Sequence, residues 1–228
     1  MAPIRTPVHY KIAENQYERA AAFRLCHDAY VRAGLMLPNR FQMRIMPHHL
    51  LATSAIFIAV QGDRVIATVS LVGDGRLGLP MESVYQDEIG ALRDPRRWLG
   101  EVSSLASAPE ASDCQLHMLG DLTRLMAQYA MRHGLEYLLA AVHPRHARYY
   151  QRVLGFQPLS EPRPYPAVRH RPSVALLLDL PQLEHDQHPA FRAYFRESIP
   201  DHELQFRPIS GADRKLERAM VCPNIYRK

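Results

Sequence analysis

The chain has 228 residues, of which 47% are hydrophobic and 22% are charged, a composition typical of one large or two small folded domains that excludes extended disorder. No apolar run approaches the roughly 18 residues of a membrane span, the N-terminus lacks the apolar core of a signal peptide, and three widely spaced cysteines favour a reducing cytoplasm over a disulfide framework. The net charge of +5 is compatible with an acidic partner of three kinds: a nucleic acid, a phosphorylated cofactor or an acidic protein.

The first half of the chain predicts a strand and a helix followed by a β-hairpin. The predicted elements are a strand over 8–14, a helix to about residue 35, a loop over 38–49 and two strands, 55–60 and 64–72. Asn15 and Glu18 resemble a capping box at the start of the helix. Gly62 and Asp63 form the turn of the hairpin, which argues against a fully parallel sheet.

The second half alternates helices and strands. The predicted elements are a helix over 82–93, a strand over 98–106, a helix over 112–133, a strand over 135–142, a short helix over 144–154, strands 156–159 and 174–180, and a helix over 190–197. Ser112 and Gln115 resemble a second capping box, and Gly134 provides a helix stop. The proline-rich stretch 161–172 predicts an irregular loop. This order of elements predicts an α/β fold with a mixed sheet.

Two motifs suggest a cofactor or a metal, and neither has the context that it requires. Residues 73–78 match the spacing G-x-G-x-x-G, but the preceding strand closes a hairpin instead of opening a βαβ unit. The pairs His143/His146 and His185/His188 have metal-ligand spacing without a third ligand at a telling distance. We therefore expect a glycine-rich turn over 73–78 and no bound metal.

Glu101 is the strongest candidate catalytic residue because it interrupts an apolar strand between Leu99 and Val102. Strand alternation places Glu101, Ser103 and Leu105 on one face. Burial of a carboxylate is unfavourable unless the group is paired, and it raises the pKa toward that of a usable base. A second pattern consists of Arg145, Arg148 and Arg152, which share one face of a short helix. That face is either solvated or contacts a phosphate or an acidic protein.

Four stretches of the chain carry a resemblance to a known family. Residues 143–156, which end in Leu-Gly-Phe, resemble the strand-to-helix segment of the GCN5-related N-acetyltransferases. Residues 22–34, 71–85 and 101–106 narrow the resemblance to the long-chain N-acyl amino acid synthases. That bacterial family is related to the acyl-homoserine lactone synthases. The resemblance extends from about residue 8 to about residue 180.

The resemblance implies a GCN5-related N-acyltransferase fold. In this fold, helices flank a mixed sheet that has a V-shaped split between two parallel central strands, here 99–106 and 135–142. It also implies transfer of a long-chain acyl group from an acyl carrier protein to the amine of an amino acid. No cofactor beyond the phosphopantetheine thioester of the donor is implied. We expect residues 1–181 to form the acyltransferase domain, and 182–228 to form a partly helical extension packed on it.

The resemblance also implies roles for individual residues. Glu101 is the base that deprotonates the acceptor amine, and Ser103 is a second catalytic candidate. Backbone N–H groups near Leu105 and Ala106 stabilise the oxyanion, and Arg24 binds the acceptor carboxylate. Further substrate-binding candidates are Tyr30 and Tyr150, and candidates for the acyl-chain pocket are Phe57, Met81, Trp98 and Met118.

Departures from the acetyltransferase pattern bear on the donor. The pyrophosphate-binding loop is missing after Leu105, which favours an acyl carrier protein over coenzyme A. Tyr150 lies five residues before the helix-ending glycine, one more than usual, so its role as a general acid stays open. Arg145, Arg148 and Arg152 become candidates for docking the acidic carrier protein. The alternatives are an acetyltransferase that uses acetyl-CoA, an acyl-homoserine lactone synthase and a non-catalytic acyl or peptide sensor. Dispersed basic residues disfavour a nucleic-acid binder.

Overall fold

The computed structural model describes residues 7–110 and 115–222. Its strands are β1 (Val8–Ile12), β2 (Ser54–Gln61), β3 (Arg64–Gly73), β4 (Trp98–Ser107), β5 (Leu135–Val142), β6 (Gln157–Pro158), β7 (Arg163–Tyr165) and β8 (Arg171–Asp179). Its α-helices are α1 (Gln16–Arg32), α2 (Glu82–Leu92), α3 (Gln115–Arg132), α4 (Pro144–Arg152), α5 (Leu180–His185), α6 (Pro189–Phe195) and α7 (Gly211–Ala219). Short 3-10 helices cover Pro47–Leu50 and Pro166–Val168.

The strands form one mixed sheet in the order β1-β2-β3-β4-β5-β8-β6, with β7 paired to β8. β4 and β5 are parallel and are connected by α3, whereas the other neighbouring pairs are antiparallel. The predicted α/β fold with a mixed sheet is therefore confirmed. Among the strands of the described residues, β4 and β5 are the one parallel pair, and they lie at the centre of the sheet, where helices cover both of them.

Helices cover both faces of the sheet, and the pleat of β2 shows how the core is divided. Ile56 and Ile58 pack on the side of α1. Phe57, which lies between them, packs on the opposite side against α3, where its ring meets that of Tyr129 at 5.3 Å. α2 packs on a third cluster that includes Leu99 of β4. Each fully buried large apolar side chain contributes about 1.5–3 kcal/mol to folding.

Local sequence signals at the helix ends are confirmed where the structure describes them. The Asn15 side chain accepts the Glu18 backbone N–H at 3.0 Å. The Glu18 carboxylate accepts the N–H of Glu14 at 2.8 Å, one residue before the position that an ideal capping box would use. Gly134 follows α3 with a φ of +74°, which glycine adopts without strain. The second predicted capping box begins at Ser112, outside the described residues.

The segment after residue 181 contains more helix than we predicted. α6 matches the predicted helix, but α5 and α7 were not predicted, and β7 lies within the loop predicted over 161–172. The described part of the extension contacts the rest of the chain through Gln128, whose amide donates to the Tyr194 carbonyl at 2.7 Å. Arg19 and Glu217 form a buried two-bond ion pair at 2.8 Å. Within the described ranges, no helix combines the length and the apolar character needed to cross a bilayer.

Candidate active site

The two parallel central strands separate at their carboxyl ends. β4 and β5 remain paired as far as Val102 opposite Ala140. Beyond this point β4 continues along β3 to Ser107, and β5 continues along β8 to Val142. The predicted V-shaped split is therefore confirmed. Backbone groups of β4 that face the split beyond Val102 are no longer part of the β4–β5 ladder.

A β-bulge lies in β4 at the split. Ser103 is opposite Ser70, and Ala106 is opposite Thr68, so β4 has two residues in this interval where β3 has one. Ser104 adopts the left-handed region with a φ of +53°. A β-bulge bends its strand and turns its side chains. This bulge therefore changes the face of the sheet that the side chains beyond it occupy.

The bulge overturns the predicted alternation. We expected Glu101, Ser103 and Leu105 to share a face. Leu105 instead packs with Val102 against the α3 side of the core, and Ser104 is the buried hydroxyl on the α1 side. An extra residue in a strand reverses the alternation of the side chains that follow it, so the prediction was wrong for Leu105.

Glu101 is buried at the start of the split. The residue is 2% exposed, and one of its carboxylate oxygens accepts a hydrogen bond from the backbone N–H of Met81 at 2.7 Å. Burial raises the pKa of Glu101 from 4.5 to about 8, a rise that Glu82 increases, whereas the Met81 N–H and the positive charge of Arg44 oppose it. A carboxylate with this pKa is suited to accept a proton near neutral pH.

Arg44 is a buried residue of the candidate site that the sequence pattern did not predict. It is 3% exposed, its guanidinium lies 4.5 Å from the centre of the Tyr30 ring, and it donates to the Ser104 hydroxyl at 3.5 Å. The segment around it has no helical or strand periodicity, so we predicted a loop. The available signal was a charged residue between Met43 and Ile45, both of which are buried.

The loop from β3 to α2 holds the backbone group that contacts Glu101. Arg93 donates to Asp74 at 2.8 Å and also forms an ion pair with Glu82, so one guanidinium connects both ends of this loop. Met81, whose N–H contacts Glu101, immediately precedes α2. The glycine-rich stretch 73–78 is thus a loop after a hairpin strand, as predicted, and its ion pairs fix the wall of the site.

Arg24 and Tyr30 project from different sides of α1. Six residues at about 100° each place them about 120° apart around the helix. Tyr30 is half-buried and contacts Arg44, so the structure brings it to the site. Arg24 is exposed and lines a shallow cavity with Leu216 and Met220 near α7.

Tyr150 lies in the core beside the split. Its ring packs edge-on against Phe156 at 5.3 Å. Burial raises the pKa of Tyr150 well above its ordinary value, and the nearby Tyr30 phenol raises it further. Tyr150 is therefore a protonated hydroxyl at neutral pH, which suits a hydrogen-bond donor.

The three arginines of α4 occupy the surface next to the split. Arg145, Arg148 and Arg152 are exposed, and α4 begins at Pro144, two residues after the end of β5. The predicted shared, solvent-facing side of the helix is therefore present. Their predicted role in docking remains a prediction.

The four candidates for an acyl-chain pocket do not lie together. Phe57 and Met118 pack in the core on the α3 side of the sheet, whereas Met81 packs on the α2 side. Trp98 is 61% exposed at the beginning of β4, the end opposite the split. A single pocket lined by all four is therefore wrong, because residues on opposite faces of a sheet cannot line one cavity.

The histidine pairs have structural contacts in the described residues. The ring of His143 accepts the Arg145 N–H at 3.3 Å and caps α4, and that of His188 accepts the Ala190 N–H at 3.1 Å and caps α6. Across residues 7–110 and 115–222, no group of three or more histidine, cysteine, aspartate or glutamate side chains has the geometry to hold a metal ion.

Comparisons with known proteins give one family and one fold. Residues 21–179 match the family described as N-acyl amino acid synthase FeeM. The solved structure of FeeM, from uncultured soil microbes, is 25% identical, with a TM-score of 0.70 over 81% of this chain and 97% of FeeM. A search of curated protein sequences gives no significant match.

More distant solved structures share the fold. The CoA-dependent acyl-homoserine lactone synthase BjaI, solved with SAM and isopentyl-CoA, is 18% identical, with a TM-score of 0.56 over 84% of this chain and 98% of BjaI. An acyl-CoA N-acyltransferase from Pseudomonas aeruginosa is 15% identical, with a TM-score of 0.53 over 75% of this chain and 99% of that one.

Proposed function

Because the chain belongs to the N-acyl amino acid synthase FeeM family and is therefore an acyltransferase, we propose that it transfers a long-chain acyl group from an acyl carrier protein to the amine of an amino acid. The observation that carries this proposal is the buried Glu101 carboxylate at the point where β4 and β5 separate. An amine attacks a thioester only after it loses a proton, and a carboxylate with a pKa of about 8 can accept that proton.

The proposed reaction conserves atoms and charge. Glu101 takes one proton from the acceptor ammonium, directly or through water, and the free amine forms a C–N bond with the thioester carbonyl carbon. The tetrahedral oxyanion collapses and the C–S bond breaks. The leaving thiolate takes up a proton from solvent, and the protonated hydroxyl of Tyr150 beside the split is our candidate hydrogen-bond donor to this thiolate. The amide nitrogen loses its second proton to solvent.

Backbone N–H groups of β4 are the proposed oxyanion donors. β4 leaves β5 after Val102, so N–H groups near Leu105 and Ala106 that face the split lie outside that ladder. Preorganised N–H donors aimed at a developing oxyanion contribute about 3–4 kcal/mol each to transition-state stabilisation. The bulge at Ser104 changes the direction of the strand just before these residues, which supports the proposal.

An acyl carrier protein is the donor that we favour. The sequence lacks the pyrophosphate-binding loop of coenzyme A enzymes, and α4 presents Arg145, Arg148 and Arg152 to solvent beside the split. Carrier proteins are acidic, so this face has the complementary charge. We also propose a cytoplasmic location, with which the two free cysteines among the described residues, Cys26 and Cys222, are compatible.

Mass spectrometry of lipid extracts from cells that express the chain tests the proposal. The expected product is an N-acyl amino acid, whose mass reports the acyl group and the acceptor together. Purified protein is then assayed with the same acyl group on a carrier protein and on coenzyme A. Exclusive use of acyl-CoA would reject the carrier-protein donor, and a lactone product or no product would reject the proposed synthase activity.

A further inference from the structure

A buried positive charge lies beside the proposed base. The backbone N–H of Arg44 donates to the Phe23 carbonyl at 3.0 Å, which holds this residue beneath α1. Its neighbours Met43 and Ile45 are buried apolar residues, so the charged side chain enters the interior in the middle of an apolar segment. Its guanidinium contacts Ser104, which lies three residues after Glu101 on β4, and its positive charge opposes the rise that burial causes in the pKa of Glu101.

Several contacts fix the orientation of this guanidinium. The Tyr30 ring lies 4.5 Å from it and supports its flat face, and the Ser104 hydroxyl lies 3.5 Å away, in a position set by the left-handed backbone of the bulge. Tyr30 and Ser103, the residue before Ser104, are half-buried. A guanidinium held in one plane has lost most of its side-chain entropy before any ligand arrives, which favours binding.

His49 adds a buried donor close to Arg44. Its Nδ1 accepts the Met46 N–H at 3.2 Å, so Nε2 carries the ring proton. His49 is 1% exposed, and its Nε2 has no hydrogen-bond partner among the described residues. Burial and the charges of Arg44 and Arg19 keep this ring neutral by lowering its pKa well below 6.5. An unpartnered buried N–H is unfavourable, and a ligand acceptor would satisfy it.

From this juxtaposition we propose that Arg44 binds the α-carboxylate of the acceptor amino acid, with the Ser104 hydroxyl and the His49 Nε2–H as neighbouring donors. This assignment rests on the proposed function. A planar guanidinium and a carboxylate form two parallel charge-assisted hydrogen bonds. In an α-amino acid only the α-carbon separates the carboxylate from the amine. Because Arg44 contacts Ser104, three residues along β4 from Glu101, a carboxylate held at Arg44 leaves the amine on the side of Glu101.

The assignment replaces the role that the sequence suggested for Arg24. Arg24 is exposed on the α7 side of α1, about 120° around the helix from Tyr30. An exposed guanidinium in water discriminates weakly between an acid and an amine, whereas a buried one requires the matching charge. Arg44 thus becomes the residue that selects amino acids over simple amines.

Steady-state kinetics with paired acceptors tests this assignment. The wild type is first incubated with a dodecanoyl thioester and each of the twenty L-amino acids, and the best acceptor is then compared with the amine that lacks its carboxylate. Arg44→Met is expected to raise the KM for the amino acid about 10- to 150-fold, the range expected for loss of a charge-assisted hydrogen bond. It should leave the KM for the amine unchanged. Arg40→Met, four residues away and exposed, is the matched control.

Each outcome decides the assignment. An unchanged amino-acid KM in folded Arg44→Met, or equal losses with the amino acid and the amine, would overturn it, and a KM increase confined to Arg24→Met would return the role to Arg24. If Arg44→Met does not fold, Arg44→Lys replaces it. That variant keeps the charge and loses the second hydrogen bond, and we expect a KM increase of about tenfold; an unchanged KM would overturn the assignment. If the wild type acylates no amino acid, the proposed function itself fails.

Discussion

Replacement of Glu101 by glutamine should make the protein more stable and far less active, and the stability gain should depend on pH. The glutamine side chain keeps the shape of glutamate, and its carbonyl oxygen can still accept the Met81 N–H. It cannot ionise. The buried carboxyl group of the wild type resists ionisation until about pH 8, whereas in the unfolded chain it ionises near pH 4.5.

The direction and the size of this pH-dependent stability difference follow from the linkage between proton binding and folding. Between pH 4.5 and about pH 8 the unfolded chain has lost the Glu101 proton and the folded chain retains it, so the free energy of unfolding falls as the pH rises. A pKa difference of this size corresponds to about 5 kcal/mol at about 1.4 kcal/mol per pH unit. The free energy of unfolding of Glu101→Gln does not decrease in this way, because glutamine does not ionise. The wild type and the variant should therefore have similar stabilities near pH 4.5 and differ most at pH 8 and above.

Urea denaturation of wild type and Glu101→Gln at a series of pH values between 5 and 9 measures this difference, with exposed Glu203→Gln as the control. Activity measured over the same range should rise in the wild type as Glu101 ionises near pH 8 and should be about 10²- to 10⁴-fold lower in Glu101→Gln. A stability difference that stays constant with pH would refute the burial argument. Near-normal turnover in the folded variant would refute the base assignment.

Three further perturbations test other parts of the molecule. Charge reversal of Arg145 and Arg148 to glutamate should raise the KM for acyl carrier protein with kcat nearly unchanged and no effect on an acyl-pantetheine donor, and added salt should mimic it in the wild type; equal KM values would place docking elsewhere. Glu217→Gln should lower the free energy of unfolding by about 3–5 kcal/mol in urea, since Arg19 would remain buried and unpaired; a change below about 1 kcal/mol would contradict this. Trp98→Ala should leave acyl-chain selectivity unchanged in competition assays, because this ring is exposed and far from the split, and a shift toward longer chains would restore it as a pocket residue.

Features fixed by neighbouring residues could be predicted from the sequence. The Asn15 cap, the glycine that ends α3 and the β2–β3 hairpin depend on backbone and side-chain chemistry within a few positions. Glu101 was predictable for a related reason: a strand with Leu99 and Val102 on either side of a carboxylate must bury or pair that carboxylate. The order of the elements then sufficed for the mixed sheet.

Features fixed by distant residues could not be predicted. Arg44 lies in a segment without periodicity, whose position depends on the Phe23 carbonyl. The partner of Arg19 is 198 residues away, and no spacing rule connects them. The bulge at Ser104 places an ordinary serine at positive φ, which only the pairing with β3 and the packing under α1 require. The sequence therefore predicted the candidate proton acceptor Glu101, but it did not predict the geometry of the residues around it.

The candidate site contains two buried ionisable groups, and an ion pair outside the site stabilises the helix that covers one of them. Glu101 and Arg44 both lie in the interior, where a charged group is destabilising by several kcal/mol even with partial compensation. The extension after residue 181 is attached through a buried bidentate ion pair to α1, the helix that covers Arg44. Through Glu217, α7 therefore holds in place the helix that covers Arg44. Loss of that ion pair should therefore reduce acceptor binding together with global stability.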